Sequence, residues 1–62
     1  MKIDNKIRRE VLIRFGEERR ETIEADWRPE LVDDVACLFV AQRMDLPLSL
    51  VREICLTDAP ET

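Results

Sequence analysis

The residues best equipped for chemistry in this 62-residue chain are two cysteines and a group of carboxylates. Cys37 and Cys55 each sit inside an apolar run. Two thiols could offer a redox or a metal pair. Zinc takes four ligands, and the chain has no histidine and no further cysteine to complete the set. Neither thiol has a Lys or His beside it to favour the thiolate. Both cysteines therefore read as reduced, small core hydrophobes, and neither a metal nor a cofactor is expected.

The carboxylates are Asp26, Glu30, Asp33, Asp34 and Asp45. Adjacent Asp33 and Asp34 diverge by about 100° on a helix, and Pro29 places a boundary between Asp26 and Glu30. An acid–base pair is hard to build from them. They read instead as an acidic surface, with Glu30, Asp33 and Asp34 near a helix start where the dipole favours negative charge. Trp27 stands beside them, as an interface anchor or as packing at the end of a strand. With no imidazole base, no nucleophile–base arrangement, and one glycine where a phosphate-cradling loop needs several, no enzyme is expected.

The elements that position these groups are organised around residues 29–56. Pro29 suits the first turn of a helix, Arg43 has the favourable sign in its last turn, and Pro47 stops it. A long helix over about 29–44 follows, then a short helix over about 49–56 with Ser49 as its N-cap. Around the long helix the apolar positions cover roughly two-thirds of the circumference, well beyond the ~100° stripe of an ordinary surface helix. Leu31, Val35, Leu38 and Phe39 are the positions expected to meet a second copy, most simply in a two-fold dimer.

Residues 9–27 carry two competing periods. Val11, Ile13 and Phe15 would point one way and Glu10, Leu12 and Arg14 the other, and Ile23, Ala25 and Trp27 alternate without a break with polar Thr22, Glu24 and Asp26, which is the period of half-buried strands. Gly16 would open the connecting loop, and Ile13 would face Ile23 across the pair. The helical alternative puts Arg8, Glu10 and Arg14 in the apolar stripe and Gly16 in mid-helix. The expected fold is small α+β: a β-hairpin over about 10–26, then the long and the short helix. The alternative is an all-α three-helix unit. The chain reads as one small domain, residues 1–62, with 57–62 a frayed tail. It has no run of ~18 apolar residues and no leader, so a soluble, cytoplasmic protein without membrane contact is expected.

Charge is unevenly spread. Residues 1–20 carry seven basic and four acidic side chains, and residues 21–62 three basic and ten acidic, giving a net −4. The arginines of residues 8–24 interleave with Glu10, Glu17, Glu18, Glu21 and Glu24, which is the pattern of a solvated mixed-charge face. The function expected is a small acidic, non-enzymatic interaction module: a dimeric regulator or inhibitor whose partner is a protein with a basic surface. Its candidate contact residues are Asp26, Trp27, Glu30, Asp33, Asp34 and Asp45. In size and charge such a chain resembles small phage- or plasmid-encoded inhibitors of nucleic-acid enzymes, anti-CRISPR proteins among them.

One further resemblance lies in Val40–Ile54, V-A-Q-R-M-D-L-P-L-S-L-V-R-E-I. Small Ala41 in the first helix, apolar Leu46 in the turn, Ser49, and apolar Val51 and Ile54 in the second helix are similar to the core of a helix-turn-helix unit. Asp45 stands where that family's turn usually has glycine. The resemblance implies the alternative function, a DNA-binding transcriptional regulator, with Leu48, Ser49, Arg52 and Glu53 on the helix that would face the bases.

Overall fold

The computed structural model describes residues 4–56, and they form three helices: α1 Asn5–Glu24, α2 Pro29–Met44 and α3 Leu48–Leu56. Among the described residues there is no strand.

The hairpin expected over residues 10–26 is therefore corrected to helix, and the all-α alternative is the observed fold. The burial pattern shows why. Strand parity would have turned Ile23, Ala25 and Trp27 inward and Thr22 outward. The reverse is found: Thr22 is buried, and Ile23, Ala25 and Trp27 are exposed. The buried positions Val11, Glu18 and Thr22 recur at seven and four residues, the spacing of one helical face. Ile13, assigned to face Ile23 across the hairpin, is exposed as well. The composition of E-E-R-R-E-T-I-E-A, rich in strong helix formers, prevails over a short alternation. Arg14 adds an i,i+4 ion pair to Glu10 at 3.0 Å. Gly16 sits in mid-helix, at a cost of about 1 kcal/mol relative to Ala.

The helix ends explain how a chain with one glycine makes its turns. Asp4 caps α1, its side chain accepting from the Lys6 N–H at 3.0 Å. At the other end Asp26 takes φ 69°. Its N–H donates to the Ile23 carbonyl at 3.0 Å, and the Trp27 N–H donates to the Thr22 carbonyl at 3.4 Å. This is a Schellman-type stop with aspartate where glycine is usual. The end of α2 repeats the device. Asp45 adopts φ 57°, ψ 46°, and the Leu46 N–H donates to the Ala41 carbonyl at 3.0 Å. Asp tolerates this left-handed conformation better than most side chains do. α3 starts one residue before its expected boundary. The Pro47 carbonyl accepts from the Leu50 and Val51 N–H groups at 3.1 and 3.2 Å, so Ser49 lies inside the helix and is not its cap.

One core joins the three helices: Val11 from α1, Cys37, Val40 and Ala41 from α2, and Val51 and Ile54 from α3. Phe15, Met44, Leu46, Leu50, Cys55 and Leu56 pack around it, partly buried. α2 supplies three of the six buried members, as its central place in the sequence pattern predicts. Residues 1–3 and the tail expected at 57–62 lie outside the described residues.

Candidate functional site

Two surfaces of the bundle expose apolar side chains in an arrangement the chain does not use for itself. The first is the corner where α1 turns into α2. Ile23, Trp27, Pro29 and Val32, with Arg19, line a groove of ≈250 Å³. Trp27 is 46% exposed and Ile23 54% exposed. The Asp26 turn sets this corner, because the αL residue reverses the chain and leaves the indole outside the core. Trp27 thus takes the exposed of its two expected placements.

The carboxylates expected on the acidic surface fall into two groups. Asp33 accepts from Arg19 Nε at 2.7 Å and Asp34 from Arg52 at 2.8 Å, so both are ion-paired within the chain. These pairs tie α1 and α3 to α2. Each of these four side chains is roughly half exposed, so each pair contributes on the order of 0.2–1 kcal/mol. Glu30 is 3.8 Å from Arg28 with both side chains mostly exposed. Asp26 and Asp45 are exposed helix-end residues. The structure brings Asp26, Trp27 and Glu30 together at the corner, with Asp33 beside them on Arg19, and places Asp45 at the far end of α2.

The second surface is the outward stripe of α2. Leu31 is 38% exposed and Leu38 43% exposed, and Val35 and Phe39 are only partly covered. The opposite side of α2 buries Val32, Ala36, Cys37, Val40 and Ala41. α1 and α3 cover that side alone. Of the four residues expected to self-associate, Leu31 and Leu38 are exposed and Val35 and Phe39 are half-buried.

Sequence reasoning missed three participants. Ile23 and Val32 complete the Trp27 groove, and because two of the three buried α1 positions, Glu18 and Thr22, are polar, no apolar spacing in the sequence marks Ile23 as outward. Glu18 is 7% exposed, and its carboxylate meets Arg43 Nε at 2.9 Å. This pair locks the middle of α1 to the last turn of α2, where the macrodipole also favours the arginine.

The two cysteines are both free thiols. α2–α3 packing brings Cys37 and Cys55 close enough for each to affect the other's ionisation. Burial raises the Cys37 thiol above its ordinary range, with Arg52 opposing. Burial, reinforced by Cys37, pushes Cys55 up to about 12. A thiol held protonated is a poor nucleophile and a poor metal ligand. Among the described residues no group of three or more Cys, Asp or Glu side chains is placed to hold a metal ion, and no helix is long and apolar enough to cross a membrane. Compared with known proteins, the chain matches no family model, no curated protein and no solved structure.

Proposed function

We propose that this chain is a non-enzymatic protein–protein interaction module of the regulator or inhibitor type, which works as a dimer and recognises a protein partner with a basic surface. The observation that carries the reading is the α1–α2 corner. A half-exposed Trp27 lines a shallow apolar groove beside the exposed carboxylates of Asp26 and Glu30, with Arg28 3.8 Å from Glu30 and Asp33 paired to Arg19 at the groove's edge. An aromatic anchor within a charged rim is the anatomy of a binding hot spot. The rim steers a basic partner and the groove holds it. No side chain at the corner has a nucleophile–base geometry, so occupancy itself is the regulatory act.

Affinity capture with the tagged chain, with and without nuclease, tests this reading when wild type is compared with Trp27→Ala and Glu30→Lys. A stoichiometric protein that survives nuclease, and is lost from both variants, is the expected result. Equal recovery by all three baits would remove the corner from the function.

The helix-turn-helix alternative draws support from one observation, the left-handed Asp45 between α2 and α3, which makes the tight turn such a unit needs. Its weakness is the outward face of α3. Arg52 is the one cation there and is held by Asp34, and Glu53 faces the same way, so little remains to read base edges. Duplex binding that falls steeply with salt and needs Arg52 would favour it. No retained duplex at low salt would end it.

A further inference from the structure

The outward stripe of α2 has a symmetry that neither composition nor burial alone reveals. Along the helix the residues on that side are Arg28, Leu31, Val35, Leu38, Gln42 and Asp45. They recur at alternating spacings of three and four, the a/d seam of a heptad repeat. Arg28 is the residue that opens α2 and Asp45 the one that closes it. The seam reads the same way from either end: a cation or an anion at the tip, then one residue, then Val35 and Leu38 in the middle. Phe39 flanks the centre.

We infer that α2 pairs with α2 of a second copy in antiparallel register, with Val35 against the partner's Leu38 at the two-fold axis. This rests on the proposed use of the stripe for self-association, and it names the arrangement. Charge decides between the orientations. Run antiparallel, the seam sets Arg28 against the partner's Asp45 at both ends, and Leu31 against the partner's Gln42. Run parallel, it sets Arg28 against the partner's Arg28 and Asp45 against the partner's Asp45. The first gives two attractive contacts and the second two repulsive ones. Opposed macrodipoles favour the same choice. Arg28 is available for the contact: its side chain is 77% exposed and its neighbour Glu30 stands off at 3.8 Å. The two-fold also makes the patch self-complementary, as an isologous interface requires. A seam of four turns buries a small area, below about 1,200 Å² in total, so the dimer belongs to the weak, concentration-dependent class.

Sedimentation equilibrium over a range of concentrations, with circular dichroism to confirm folding, tests this. Wild type should dimerise reversibly, and Leu31→Glu/Leu38→Glu should be a folded monomer. Arg28→Glu should weaken the dimer about tenfold or more, because two attractions become two repulsions. Adding Asp45→Lys should restore most of the loss. Arg28→Glu alone separates the orientations even if the Asp45 variant fails to fold, since a parallel pair would only exchange one like-charge contact for another. A wild-type dimer that is broken by Leu31→Glu/Leu38→Glu but indifferent to Arg28→Glu overturns the antiparallel register and leaves self-association through α2 standing. A wild type that stays monomeric at its solubility limit overturns both.

Discussion

α1 and α2 pack against each other, yet opposite forces hold them. α1 has twenty residues and buries three, of which Glu18 and Thr22 are polar. α2 has sixteen and buries five, all of them apolar. α1 is helical because its charged residues are good helix formers and because its ends are capped by Asp4 and the Asp26 turn. α2 is helical because two other helices close over its apolar side. A helix made by propensity needs little periodicity in its sequence, whereas a helix made by burial must display it. That difference also leaves α2 with more apolar surface than its neighbours cover.

The largest test of the contrast uses the thiols on the buried side of α2 and on α3. Cys55 stays protonated to about 12 in the fold and starts to ionise near its ordinary value of 9.0 when unfolded. The unfolded chain therefore binds fewer protons across that window. The stabilisation is fully present below pH 9 and is lost as pH rises toward 12. Urea unfolding at pH 8 and at pH 10.5 should show the loss, and Cys55→Ala should flatten it. An unchanged slope in the variant would sink the buried-thiol account.

Val40 is fully enclosed. Val40→Ala should cost about 2 kcal/mol through lost burial and the cavity it leaves. That is a large share of the stability of so small a domain. Leu12→Ala, on the exposed face of α1, should stay within about 0.5 kcal/mol. Similar midpoint shifts for the two would erase the distinction between the helices.

The Glu18–Arg43 pair sharpens the comparison, because it is the charged contact in which α1 presents a buried group. Arg43→Ala leaves the Glu18 carboxylate buried without its cation and should cost about 1–2 kcal/mol, discounted for the exposure of the arginine. Glu18→Gln in the same background should recover part of the loss. A double variant no more stable than Arg43→Ala would show that the pair is not coupled.

The smallest effect is on α1 itself. A Cβ at Gly16 would meet nothing within 4 Å. Gly16→Ala should therefore stabilise the fold by about 0.5–1 kcal/mol through helix propensity. Destabilisation, read from the thermal midpoint, would mean that the open space at Gly16 is occupied in solution.

The legible parts of this protein were those where burial dictates pattern. The span of α2 was read as 29–44, which is where it lies, and α3 differs by one residue at its start. The four-residue apolar stripe was found because α2 carries more apolar circumference than a small bundle can bury. The sequence of α1 misleads because six alternating residues, Thr22 to Trp27, imitate a strand where only Thr22 is inside. Gly16 suggests a turn because glycine usually marks one, while the turns fall on Asp26 and Asp45. Aspartate is common in many local settings, so its left-handed use carries little signal. Of the site residues, the sequence pointed to Trp27 and its acidic neighbours, but not to the groove that Ile23 and Val32 build with it.

By itself the sequence determined that no imidazole chemistry is available, that the two thiols belong to apolar surroundings, and that residues 29–56 are two helices around a tight turn. These follow from residue types and local spacing, which need no knowledge of what lies opposite. Only the tertiary structure decided which face of α1 turns inward, which carboxylates are neutralised by Arg19 and Arg52, and which side of α2 is left open. Those depend on which helix packs against which face, and side chains distant in sequence settle that by meeting in space.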